Sequence, residues 1–156
     1  VKKTLAAAVL VTLAFALPGL AEEKAPALEP DKPQPIVTPD RIQVQHILVA
    51  FKGRLPGKNV TRSLEEARTL AESLLARAKG GEDFGDLVKE FSDDSFPGMY
   101  GMANTGVKPV AGEYARSGMV GAFGDVGFSL QVGEIGMTGF DEQKSPYGFH
   151  IIKRIK

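Results

Sequence analysis

From Arg41 onward the chain alternates. Ile42, Val44, His46, Leu48 and Ala50 fall on one side of an extended segment, and Gln43, Gln45, Ile47, Val49 and Phe51 on the other. A period of two predicts a strand, and apolar residues on both sides predict a largely buried one. A loop carrying Lys52, Gly53, Arg54, Pro56, Gly57, Lys58 and Asn59 follows. Ser63 and Glu66 then form a capping box, each side chain satisfying a backbone N–H that the first helical turn leaves free. Beyond it Leu64, Ala67, Leu70, Ala71, Leu74, Leu75 and Ala78 recur at helical spacing as one apolar stripe, which Gly80 and Gly81 end. Such a stripe faces a core. Asp83 is placed to cap a second, short helix through Phe84, Leu87, Val88 and Phe91.

Between Ser92 and Gly121 the periodicity gives way to Gly, Pro, Asp and Asn. No regular element is predicted there, and a long irregular stretch in a compact domain tends to be functional or mobile. A glycine-interrupted segment with Met119, Val120, Phe123, Val126 and Phe128 reads as a short helix, weakened by those glycines. Residues 133 to 140 predict a short strand, and Phe149, Ile151 and Ile155 alternate on a last one. Strand, two helices, irregular segment, helix and two strands predict an α+β domain over 41–156, with helices packed on a small antiparallel sheet.

The 156 residues suit one domain with appendages. Lys2 and Lys3 precede an apolar run from Leu5 to Leu17 that ends at Pro18 and Gly19. That run is shorter than the about 20 residues a membrane span needs, and small Gly19 and Ala21 suit cleavage before Glu22, so residues 1–21 read as a signal peptide. Pro26, Pro30, Pro33, Pro35 and Pro39, with scattered charges, make 22–40 an extended spacer. The expected address is the periplasm or cell envelope. Lys+Arg 19 against Asp+Glu 19 removes the basic excess that advertises a nucleic-acid partner. With no Cys, a disulfide framework, a thiolate nucleophile and a Cys-based zinc site are all excluded.

Both histidines, His46 and His150, fall inside predicted strands. Taken alone, each is more often a satisfied core or surface residue than a catalytic one. A series of motifs changes that weighting. His46-Ile47-Leu48-Val49, Gly81-Glu82-Asp83-Phe84, Phe91-Ser92-Asp93-Asp94-Ser95, Phe128-Ser129-Leu130 with Gly133-Glu134-Ile135, and Tyr147-Gly148-Phe149-His150-Ile151-Ile152 run in order from about residue 42 to the C-terminus. Each is weak alone, but in this order the chain resembles the parvulin family of peptidyl-prolyl cis/trans isomerases.

The resemblance implies a parvulin-like fold with a small four-stranded antiparallel sheet surrounded by helices. It implies that His46 and His150 pair at the floor of a site, with Asp94 where the family holds Cys or Asp. Met119 and Phe123, four apart on the short helix, would wall a proline pocket that Phe128 completes. Tyr147 stands where many members carry Ser or Thr, and Tyr100 replaces the usual leucine at the pocket rim. The implied substrates are proline-containing unfolded or nascent exported polypeptides. Turning an X–Pro bond makes and breaks no covalent bond, so neither metal nor nucleotide cofactor is expected. A module that keeps the fold and binds unfolded chains without catalysis is the alternative.

Two departures stand out. Gly98-Met99-Tyr100-Gly101-Met102 replaces the family's Gly-Gly-Asp-Leu-Gly turn, and the connection 103–118 is longer than usual; it would cover the site, reshape its specificity or be a tolerated insertion. The loop after the first strand carries Lys52, Arg54, Lys58 and Arg62, but Ala50 and Leu55 stand where phosphate-gripping residues would be expected. A requirement for phosphorylated substrates is therefore not expected.

Overall fold

The computed structural model describes residues 38–156; the signal-peptide reading of 1–21 and nearly all of the 22–40 spacer lie outside the described residues. Strand β1 (Arg41–Ala50) is followed by helices α1 (Leu64–Lys79) and α2 (Phe84–Phe91). Then come β2 (Met99–Ala103), β3 (Glu113–Ala115), helix α3 (Gly121–Ser129), β4 (Ile135–Thr138) and β5 (Gly148–Arg154). Local chemistry sets the helix ends. Ser63 and Glu66 close the capping box on α1, and the Asp83 carboxylate accepts the Asp86 N–H to start α2.

The sheet has five strands in the order β3-β2-β1-β5-β4, and the β2–β3 pair is parallel. The expected four-stranded antiparallel sheet is thus corrected to a five-stranded mixed one. Both strands of the supposedly irregular 92–121 segment owe their structure to partners. β2, Met-Tyr-Gly-Met-Ala, has no clean alternation, yet Tyr100 and Met102 sit opposite Val44 and Ile42 of the buried β1. Short β3 belongs to the long 103–118 connection. The Arg41 guanidinium holds it, pairing with Glu113 and donating to the Lys108 carbonyl at 2.8 Å. A second correction concerns Met119, which precedes α3 instead of lying on it, with Val120 at the N-cap.

Central β1 is apolar on both faces because both are covered. Ile47, Val49, Phe149 and Ile151 meet Ala67, Ala71, Leu74 and Ala78 of α1 and Phe84, Leu87 and Val88 of α2. On the opposite face Ile42, Val44, Met102 and Ile152 pack with Phe123 and Phe128 of α3, while Leu48, Ala50 and Val60 form a separate small cluster with Leu55 against it. Each fully buried large side chain contributes roughly 2 kcal/mol.

Gly148 opens β5 at φ +142, where an added Cβ would lie 2.3 Å from the Val49 carbonyl oxygen. Only glycine lets β5 approach β1 this closely. Gly148→Ala should lower unfolding stability by about 2 kcal/mol or more. Chemical denaturation measures it, and a loss under about 0.5 kcal/mol, the range of an ordinary surface change, would contradict the close-approach argument.

Candidate functional site

Sheet register brings the histidines together. In the β1–β5 ladder His46 faces Ile152 and Leu48 faces His150. Opposed residues point to the same face, and so do residues two apart, so the two imidazoles are diagonal neighbours on one face. Their Nδ1 atoms are 3.3 Å apart and the rings stack with planes 15° apart. Both side chains are buried. On the far side of His150, Thr138 of β4 sits opposite it in register. Its hydroxyl meets the Ser145 hydroxyl at 3.1 Å, and Ser145 donates to the Gly148 carbonyl at 2.9 Å, pinning the turn that presents Tyr147.

Asp94 is delivered by the segment after α2, which is tied to β1. The Asp93 N–H donates to the Leu48 carbonyl at 2.8 Å, and the Leu48 N–H donates to the Ser92 hydroxyl at 3.1 Å. The Asp93 carboxylate accepts the Ala50 N–H at 2.8 Å and pairs with Arg62. The His46 N–H in turn donates to the Gly98 carbonyl at 2.9 Å. Held at these points, the Phe91-Ser92-Asp93-Asp94-Ser95 motif sets Asp94 Oδ2 2.9 Å from His46 Nε2. The Tyr100 hydroxyl donates to the same oxygen at 2.7 Å.

These contacts determine where the protons sit. The hydrogen bond from His46, with a further one from Tyr100, holds the Asp94 carboxyl well below the usual carboxylate range despite its partial burial. Burial, and then the bond to Asp94, push the Tyr100 phenol above its ordinary value. An ionised Asp94 only accepts, so His46 donates from Nε2. While both rings are neutral, His46 Nδ1 is then an acceptor for the Nδ1–H of His150, and His150 Nε2 is left as a bare acceptor. That buried nitrogen has no partner. Burial above all, and then the neighbouring His46, push the His150 pKa down to about 3, with Asp94 opposing.

The chain of polar groups lies at a cleft of about 270 Å³. Tyr100, Met119, Val120 and Phe123 line it, together with Leu48, Leu55 and Tyr147. The Phe123 ring meets His46 and His150 edge-on, its centroid 5.1 and 5.5 Å from theirs. The structure therefore gathers His46, Asp94, His150, Tyr100, Met119, Phe123 and Tyr147 around one cavity. Phe128 is not part of it. It is buried under α3 with the Arg116 guanidinium 4.8 Å from its ring, so it packs behind the wall instead of forming it. Three lining residues escaped the sequence reading: Leu48, Val120 and Leu55. Leu48 is two positions from His46 on the same strand face, a signal the period of two already carried. Leu55 sits in a turn, where no periodicity applies.

The arrangement offers apolar walls above a fixed polar floor. The Asp94 oxygen nearest His46 is already engaged by two donors, which makes it a poor nucleophile.

Comparison with known proteins identifies the family. The family model for the PPIC-type PPIase domain matches residues 33–155. Chaperone SurA of Pseudomonas fluorescens is 30% identical over 114 residues, covering 73% of this chain and 22% of that protein. Peptidyl-prolyl cis-trans isomerase pin1 of Schizosaccharomyces pombe is 37% identical over 120 residues, covering 73% of this chain and 62% of its own length. The chain thus spans about a fifth of the first relative and about three fifths of the second. The solution structure of TbPIN1 aligns with a TM-score of 0.55 at 22% identity, covering 75% of this chain and 98% of that one, and shares its fold.

The proton arrangement has a consequence for stability. His150 stays neutral in the folded chain down to about pH 3, whereas in the unfolded chain it takes up a proton below its ordinary 6.5. Across that window the unfolded state binds more protons, so stability rises with pH, and this contribution is flat above it. Asp94 works at lower pH, since its ordinary value is 3.8. Between about pH 6 and pH 5 the native chain should lose about 1.2 kcal/mol more than His150→Asn. Urea denaturation at the two pH values measures it; equal losses in the two proteins would contradict a buried neutral His150.

Proposed function

The chain belongs to the PPIC-type PPIase domain family, and from that premise we propose that it is a parvulin-type peptidyl-prolyl cis/trans isomerase assisting the folding of exported proteins. The observation that carries this reading is the apolar cleft floored by the Asp94–His46–His150 chain. Rotation about an X–Pro bond is slow because the amide resonance must be broken, over a barrier of about 18 to 20 kcal/mol. The planar amide is the more charge-separated form and leans on water at its carbonyl oxygen. Transfer to a cleft walled by Met119, Val120, Phe123, Leu48 and Leu55 removes that water, which disfavours the planar states relative to the twisted one. A 10,000-fold acceleration requires about 5.5 kcal/mol, within reach of one lost carbonyl hydrogen bond and a few polar contacts preorganised at the floor.

The residues divide the work. Phe123, Met119 and Tyr100 hold the proline ring, Tyr147 edges the cleft where the resemblance implies Ser or Thr in many members, and His46 and His150 form the floor beneath the turning bond. Asp94 is a positioning residue that acts through His46. Phosphorylated substrates are not required in this reading. Arg54 is engaged by Glu142, Arg62 by Asp93, and Lys58 by the Asp93 carbonyl, so three of the loop's cations already have partners.

The proposed organisation is a signal peptide over 1–21, a proline-rich spacer over 22–40 and the catalytic domain over 41–156. Lys2 and Lys3 before the Leu5 to Leu17 run, and small residues at Gly19 and Ala21, support export.

Refolding of a substrate limited by proline isomerisation tests the activity. Catalytic amounts of the chain should shorten the slow phase. His46→Ala and His150→Ala should each weaken the effect at least tenfold, and the double variant should lose less than the product of the two, since each ring orients the other. A slow phase left unchanged or prolonged would favour the binding module, and losses that simply multiply would contradict a coupled pair.

A further inference from the structure

The long 103–118 connection contributes no side chain to the cleft, whose lining passes directly from Tyr100 to Met119. It does not cover the site. It reaches one lining residue from outside. Strand β3 pairs with β2 so that Tyr114 stands opposite Met102, and Tyr100 lies two positions from Met102 on β2, so Tyr114 and Tyr100 share one face of the sheet. Their ring centroids are 5.7 Å apart, with the planes tilted by 46°. Because β2 lies between β1 and β3, His46 and Tyr114 flank Tyr100 from opposite sides, the His46 ring at 5.1 Å.

Tyr114 is anchored through its neighbours. Glu113 pairs with Arg41 at the start of β1 and accepts the Val110 N–H at 3.1 Å. Two positions beyond Tyr114, Arg116 donates to Asn104 at 3.0 Å and to Asp125 of α3 at 2.7 Å. The insertion is thus tied to β1 on one side of Tyr114 and to α3 on the other.

Resting on the isomerase reading above, we propose that the insertion acts on catalysis through this contact: Tyr114 steadies Tyr100, whose hydroxyl is the positioning group that keeps the Asp94 carboxylate on His46. The Asp94 side chain is 30% exposed, so water competes for it. Besides a backbone bond from Ser95, it has two side-chain partners, His46 at 2.9 Å and Tyr100 at 2.7 Å. Without the phenol one remains, and the carboxylate gains freedom to turn to solvent. His46 then loses the acceptor that fixes its proton on Nε2, and His150 loses its order in turn. Burial raises the Tyr100 phenol above its ordinary value, so the hydroxyl keeps its proton and donates throughout the neutral range. Leucine, which the resemblance implies at this position, could make no such bond.

Three variants separate the roles. Tyr100→Phe removes the hydroxyl and keeps the wall, Tyr114→Ala removes the brace, and Tyr114→Phe keeps its ring. Exchange spectroscopy on a proline peptide gives kcat and KM, and imidazole nitrogen-15 shifts give the tautomers. Tyr100→Phe should lower kcat by about tenfold with KM within about twofold, and move His46 from Nε2–H toward a mixture. Tyr114→Ala should lower kcat by about threefold with the same drift, and Tyr114→Phe should recover both. Either kcat or the tautomers unchanged in Tyr100→Phe, or a rise in KM alone, would overturn the positioning role. Tyr114→Ala indistinguishable from the native chain, or Tyr114→Phe no better than Tyr114→Ala, would overturn the role of the insertion. If the native chain does not accelerate isomerisation, the isomerase reading falls and the tautomers decide: drift in both Tyr100→Phe and Tyr114→Ala keeps the brace, and its absence in either overturns it.

Discussion

Asp94 Oδ2 accepts hydrogen bonds from both His46 Nε2 and Tyr100, and the polar half of the site follows from those two hydrogen bonds. An ionised acceptor leaves His46 one way to orient its proton, and His46 then leaves His150 one way to orient its own. The last nitrogen of the chain, His150 Nε2, is buried without a partner. Burying an acceptor that has no protein partner costs of the order of 1–3 kcal/mol. Here it lies on an imidazole that lines the cleft.

The scaffold holds that carboxylate over that strand. β1 is fixed from both faces by separate apolar clusters, so its side chains have no freedom to slide, and a one-residue slip would turn His46 into the opposite core. The segment 92–98 is tied to β1 at Leu48, Ala50 and His46, which transfers the strand's rigidity to Asp94. Tyr100 arrives from β2 by pairing with Val44. Tyr100 thus adds a fourth member to the polar chain, and the long 103–118 connection is folded along the same edge of the sheet as β3.

Elements whose residues carry their own signal could be read directly from the sequence. β1, β5, α1 and α2 declare themselves through period and caps, because burial on known faces dictates the spacing. β2 and β3 do not, since Gly101 interrupts one and the other is three residues held by Arg41; their structure is a property of partners distant in sequence. The histidines were visible as residues on strands, but their meeting depends on the β1–β5 register, which composition cannot state and which family resemblance suggested. Phe128 illustrates the opposite error. Its place on an apolar helix stripe is compatible with either a wall or a core, and the backbone sets it in the core. Tyr100 was noticed as a departure, while its bond to Asp94 required the fold.

The proton order along Asp94, His46 and His150 is the claim on which the electrostatics, the pairing of the rings and the proposed floor of the site all rest. Imidazole nitrogen-15 chemical shifts, recorded at a pH where both rings are neutral, read it directly. The account predicts His46 protonated at Nε2 and His150 protonated at Nδ1, with Asp94→Ala releasing both rings into mixed tautomers. His150 found protonated at Nε2, or tautomers unchanged when Asp94 is removed, would contradict it.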